Sequence, residues 1–263
     1  MRIVVAVWLY LIVAWVPQLS ASPGLVTAGQ LDLSSWDFSG PTEVSLRGEW
    51  EFYWEKLYQP KDFASQIPTE KNLLQVPANW AFKGYPAYGY ATYRLRVQLS
   101  QPRELAIRLP WIQASAKIFI DGKLLEEIGH VHTSRDPQRY SHTVKEDYYI
   151  FEPQHADFDI VIQVANFSNL IAGMAGTPTL GTVAAIKATY IKDIALVIFF
   201  SGCVFIMGVY HFCLYALRTK ARSTLYFGMI CVTVSLYMFA SHLPSVTSFL
   251  PNISAQNATR FYL

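Results

Sequence analysis

The chain has 263 residues, 52% hydrophobic and only 15% charged, against about 25% charged in ordinary soluble domains, so part of it is expected to be solvated by lipid. A formal net charge of +2, with no run of Lys and Arg along any segment, excludes nucleic acid as the expected partner. All three cysteines, Cys203, Cys213 and Cys231, lie in the apolar C-terminal third, so what precedes them can form no disulfide and must hold together by its core.

In chain order, Arg2, the apolar run Ile3 to Val16, Pro17 and the small residues Ser20, Ala21 and Ser22 have the layout of a secretory signal peptide over residues 1–22. An uncleaved anchor is the alternative, and either delivers the next segment to the same compartment.

From residue 25 to 189 the apolar residues recur at every second position, as in strands with one buried face. Leu46, Trp50, Phe52 and Trp54 oppose Arg47, Glu49, Glu51 and Glu55, and Ala91, Tyr93, Leu95, Val97 and Leu99 alternate with Thr92, Arg94, Arg96 and Gln98. Leu105, Ile107 and Leu109 make a third strand; Ala116, Ile118 and Ile120 a fourth, which turns at Asp121-Gly122 and returns over Lys123 to Ile128. Phe158, Ile160, Ile162 and Val164 supply a later strand, and Leu180 to Ile186 the last. Many short antiparallel strands with turn signals between them predict a jelly-roll β-sandwich.

The neck that follows, between Ile186 and Ile194, has no Gly, Ser or Pro run to act as a slack tether. Ile194 to Leu217 then contains no Asp, Glu, Lys or Arg, enough for a helix over 193–218 to cross the roughly 30 Å hydrocarbon core of a bilayer. Arg218, Lys220 and Arg222 follow without an acid and place that end in the cytoplasm, leaving the β domain outside the cell membrane. A second charge-free stretch over 223–243 returns the chain, and Pro244 and Pro251 among polar residues read as an outer loop over 244–263. His211 is an ionisable side chain within the first span.

A pyranose has an apolar C–H face and a ring of hydroxyls, so aromatic faces beside polar groups suit it. Tyr85, Tyr88 and Tyr90 in the glycine- and proline-punctuated segment GYPAYGY, with Trp111 after Pro110, are the aromatic candidates because they read as loop residues rather than parts of alternating strands, packing aromatics being the plainer alternative. The polar candidates are His130, His132, Arg135 and Asp136, with Arg139 and His142 beyond them, in a loop that could present charge and hydrogen bonds to a small polar ligand or could simply be solvated. Spacing alone does not return His142 to the other two imidazoles, so no metal and no cofactor is assigned. Catalysis is not expected either. No G-x-S-x-G, H-E-x-x-H or phosphate-binding glycine loop occurs, and the adjacent Glu126 and Glu127 read as a solvated face.

Two resemblances add to this. The segments Val76-Pro77-Ala78-Asn79-Trp80, Gly89 to Arg94, Leu105 to Gly129 and Ile160 to Asn166 resemble the galactose-binding-like jelly roll before the barrel of family 2 glycoside hydrolases, the β-galactosidases and β-glucuronidases. That domain is non-catalytic, and the resemblance makes Trp80 and Tyr93 core or inter-sheet aromatics; Thr92 replaces a usual Trp, and Asp121 a frequent Asn. The order of signal, jelly roll and charge-free helix, with Gly48 to Trp54, Tyr93-Arg94 and Asp121-Gly122, resembles the bacterial seven-transmembrane receptors with diverse intracellular signalling modules. That resemblance implies an extracytoplasmic domain that binds a carbohydrate-like or other small ligand and couples it through the membrane to a cyclase- or kinase-type effector. Two spans fall short of seven, so the chain is expected to be truncated. A membrane-anchored adhesion or scaffold module without output is the alternative, and pairing of the domain with a second copy is left open.

Overall fold

The computed structural model describes residues 26–65, 68, 71–109, 112, 114–134, 147–170, 172–218 and 220–241. The expected signal peptide over 1–22 and outer loop over 244–263 lie outside the described residues.

The seven expected period-two segments form strands, and with four that the alternation does not single out the described residues hold eleven. They are β1 (Gln30–Leu33), β2 (Glu43–Ser45), β3 (Gly48–Trp54), β4 (Asn72–Val76), β5 (Gly89–Leu99) and β6 (Leu105–Leu109). After these come β7 (Ser115–Ile120), β8 (Lys123–Ile128), β9 (Asp147–Phe151), β10 (Asp157–Asn166) and β11 (Thr179–Gly181). The four additions are β1, β2, β4 and β9. One sheet runs β4-β3-β5-β10-β7-β8 and the other β2-β11-β6-β9. All these pairings are antiparallel; β1 alone runs parallel, along the Arg96 to Leu99 half of β5 that β3 leaves free. The inner faces interdigitate in a single core, with Trp50, Phe52, Tyr93, Leu95 and Ile162 from the first sheet against Val44, Ile107 and Leu180 from the second. The hairpin at Asp121-Gly122 has both residues at positive φ, 49° and 78°, the geometry that this dipeptide favours. The head is a jelly-roll β-sandwich, as the alternation predicts.

The outer face of the first sheet is not the solvated surface that its alternating charges suggest. A short helix, α1 (Pro60–Ser65), lays Phe63 over it, 4.6 Å from the guanidinium of Arg94, which is only 4% exposed. Arg94 donates from Nη1 to Glu51 at 3.2 Å and from Nη2 to Asp159 at 2.7 Å. Glu51 also accepts from Lys71 at 3.0 Å and from the Tyr53 hydroxyl at 2.9 Å. Burial opposes the charge on Arg94, but its bonds to Asp159 and the attraction of Asp159 and Glu51 outweigh that and hold its pKa above the ordinary range.

Burial likewise pushes the phenols of Tyr53 and Tyr93 well above the ordinary value of 10.0, with Glu51 adding to the effect at Tyr53. A folded phenol that keeps its proton where the unfolded one loses it contributes stability that is intact below pH 10 and falls as the pH rises beyond it. Thermal unfolding of the chain should therefore occur at lower temperature as pH climbs past that value, with tyrosinate absorbance lagging in the folded state. Full tyrosine ionisation before unfolding would contradict this.

The strand expected over Leu180 to Ile186 is cut short. β11 stops at Gly181, and helix α2 (Val183–Leu217) begins at once, turned by Thr182, whose N–H donates to Thr42 O at 3.0 Å. Ile186, Tyr190 and Ile194, spaced by four, form a buried stripe that a period-two reading of this stretch conceals. A second helix, α3 (Arg222–Ser241), returns beside α2, and both are long and apolar enough to cross a membrane. They meet through small residues. Ser201 and Ser235 each donate to the other's backbone carbonyl, at 2.9 and 2.8 Å, and Gly208 lies so close that an added Cβ would sit 2.7 Å from Val232. Gly208→Leu should force the pair apart, read as lost oxidative crosslinking between cysteines placed at 201 and 235.

Candidate functional site at the neck and the adjoining rim

The first three turns of α2 lie against the outer face of the β2-β11-β6-β9 sheet rather than in solvent. Arg108 of β6 points outward and pairs through Nη1 with Asp193 at 2.7 Å, one residue before the apolar run begins at Ile194. The same guanidinium lies 5.8 Å from the ring of Tyr190, which packs edge-on against Tyr148 of β9 at 5.1 Å. On the other flank Thr189 donates to Glu43 of β2 at 2.9 Å. Three strands thus contact one helical face, and the helix continues from Val183 to Leu217 without a break. Arg108 has a signal in the sequence, as a lone Arg in an otherwise apolar strand, and Asp193 is the acid at the edge of the apolar run, but nothing local to either shows that they pair.

The aromatic candidates separate. Tyr85 closes an aromatic stack, with its ring 4.9 Å from Phe52 and 5.1 Å from Trp54, which meets Trp80 at 5.3 Å. Gly89 has its place because a Cβ there would lie 2.5 Å from Trp54 Cη2. Trp80 and Tyr93 are fully buried, in the core role that the resemblance implies. Tyr90 is not in a loop, since it is the second residue of β5 and its carbonyl accepts from the Glu55 N–H at 2.9 Å. Tyr88 is free to meet a ligand, at 49% exposed. Trp111, Arg135 and Asp136, with Arg139 and His142, lie outside the described residues.

Strand register places the remaining candidates on the same rim. Ala91, Val164, Ala116 and Ile128 form one row across β5, β10, β7 and β8, and Tyr90 and His130 stand just beyond its two ends. Three strand spacings, roughly 14 Å, separate them. His130 is exposed, with Nδ1 at 3.5 Å from Glu127, which also pairs with Lys117 at 3.3 Å; His132 is half-buried. Among the described residues no three His, Cys, Asp or Glu side chains converge on a metal position. Glu126 and Glu127 are consecutive on β8 and so face opposite ways, Glu127 toward Lys117 and Glu126 close enough to Tyr149 to raise its pKa beside the larger effect of burial.

Asn79 and Asn166 stitch the rim together. The Asn79 side chain accepts from the N–H groups of Ala81 at 3.0 Å and Ala172 at 3.2 Å and donates to Leu170 O at 3.2 Å. Asn166 donates to the carbonyls of Ala87 and Asn169, both at 2.8 Å.

No protein-family description and no curated protein sequence matches the chain. Among solved structures it is similar to a β-galacturonidase of glycoside hydrolase family 2 from Eisenbergiella tayi, at 12% identity and a TM-score of 0.38 over 57% of this chain and 26% of that one. It is also similar to a β-glucuronidase from Faecalibacterium prausnitzii, at 14% identity and a TM-score of 0.39 over 53% and 31%. A family 2 glycoside hydrolase from Bacteroides cellulosilyticus gives 14% identity and a TM-score of 0.38 over 53% and 20%. The chain therefore spans under a third of the length of these neighbours. What makes the head a jelly roll is its own strand order and register.

Proposed function

We propose that the chain is the receiving part of a membrane receptor, in which an extracytoplasmic jelly-roll head binds a small polar ligand of carbohydrate type and passes its state to membrane helices. The supporting observation is the neck. Arg108, Tyr148 and Glu43 hold Asp193, Tyr190 and Thr189 on a helix that continues unbroken to Leu217. A ligand that prefers one arrangement of the rim biases the helix only if the two move together, and this joint allows that. The layout resembles the seven-transmembrane receptors with intracellular signalling modules, whose effector would lie beyond this chain.

Binding rather than catalysis fits the rim, because Glu126 and Glu127 diverge and so cannot flank one glycosidic bond as a hydrolase's paired carboxylates do. The test uses the full chain in lipid nanodiscs against a panel of hexoses, hexuronates and their short oligomers. At least one is expected to raise the unfolding temperature, and Tyr88→Ala to remove the shift. Turnover of chromogenic glycosides would overturn the non-catalytic reading. Capture of an envelope protein, with no small molecule that stabilises the head, would favour an adhesion module instead.

A further inference from the structure

The topology fixes which end of the head faces the bilayer. α2 leaves Gly181 and passes over β6 and β9 toward Arg108 and Tyr148, so the membrane lies beyond the end of β6, where Leu109 pairs with Asp147. Five residues join Leu109 to Ser115 of β7, whose partner is Ala165 of β10. Asn166 in turn pairs with Gly89, so the start of β5 and the end of β10 share that end. The two loops there are the segment before β5, with its 3₁₀ turn Trp80–Lys83, and the segment from β10 to β11. They are bonded to each other, Ala78 N–H to Met174 O at 2.9 Å and Trp80 N–H to Ala172 O at 3.2 Å. The second loop leads directly into Thr179, the register partner of Arg108.

These loops carry the two most exposed large apolar side chains of the described head, Phe82 at 86% and Leu170 at 75%. Asn79 brings them together, since its carbonyl accepts from the Phe82 N–H and its side chain holds Leu170 O. Lys83 stands beside them. The opposite end of the sandwich carries Gln101, Glu104, Asp121, Glu152 and Asp157. An aromatic, an aliphatic and a Lys together suit the headgroup boundary of a bilayer, where the rings and methyls enter the upper acyl region and the ammonium stays among phosphates.

We propose that Phe82 and Leu170 insert into the outer-leaflet interface of the bilayer that α2 crosses, so that the head lies on the lipid instead of standing clear of it. The ion pair at Asp193 immediately precedes the apolar run at Ile194, so the hydrocarbon boundary comes level with this end of the head. A polar ligand of the Tyr88 rim would then enter from the side, between head and headgroups. This inference rests on the membrane-anchored reading of the chain.

Its test is spin-label accessibility on the full chain in nanodiscs, with Cys203, Cys213 and Cys231 replaced by Ser and single cysteines made by Phe82→Cys, Leu170→Cys, Gln101→Cys and Ile206→Cys. Phe82 and Leu170 are exposed, so their labels leave the core intact. The ratio of collisions with dissolved oxygen to collisions with a water-soluble nickel chelate should be several-fold higher at 82 and 170 than at 101, and highest at 206. Nickel access at 82 and 170 equal to that at 101 would overturn the inference alone. Exclusion of both reagents there would mean that protein covers the patch, and would overturn it as well. Nickel access at 206 would overturn the membrane-anchored reading itself, and this inference with it.

Discussion

Arg94→Leu is expected to lower the stability of the head by about 3 kcal/mol, among the largest losses for any single charge in the domain. The guanidinium bridges Glu51 and Asp159 beneath Phe63, and its removal leaves the Glu51 carboxylate, nearly buried, facing a hydrocarbon side chain with only Lys71 and the Tyr53 hydroxyl to answer it. Arg96, two residues along the same face, pairs with Asp159 at 3.4 Å but stays half exposed, so Arg96→Leu should cost under about 1 kcal/mol. Urea unfolding of the full chain in detergent, followed by tryptophan fluorescence, measures both. Adding Glu51→Gln to Arg94→Leu should recover part of the loss, because the orphaned charge disappears with it. Equal costs at positions 94 and 96 would show that the network is solvated after all.

The second large effect is at the neck. Tyr190→Ala, which empties a buried site against Tyr148 and Arg108, should weaken docking of the helix on the head by about 3 kcal/mol. That is roughly a hundredfold shift in the docked population. Insertion of Gly-Ser-Gly-Ser after Lys187 should go further and uncouple the head altogether. Spin labels at Glu152 on the head and Tyr237 on α3 report the outcome as a distance distribution, narrow in the parent chain and broad in both variants. Exposed Lys187 and Lys192 serve as controls, since Lys187→Ala and Lys192→Ala touch none of these partners and should leave the distribution narrow. A parent distribution already as broad as the insertion's would end the rigid-neck account.

The sequence by itself determined seven of the eleven described strands, though not where the last of them ends, together with the Asp121-Gly122 turn, the two apolar helices and the buried face on which Tyr93 lies. Each of these is set by local chemistry, because alternation buries one face of a strand, a turn needs positive φ, and an uncharged run of this length can be solvated by lipid. What only the tertiary structure decided depends on which strands become neighbours. The charges of Glu51, Arg94 and Asp159 alternate as a solvated face would, and only their convergence under Phe63 turns them into a buried network. Ile186 fits the end of a strand as well as the start of a helical stripe, and the sheet that receives Tyr190 and Ile194 made the choice. Tyr90 and His130, far apart in the chain, came to one rim through the register of four strands. Long-range pairing has no local signature, because a strand's own residues fix its buried face but not its partner.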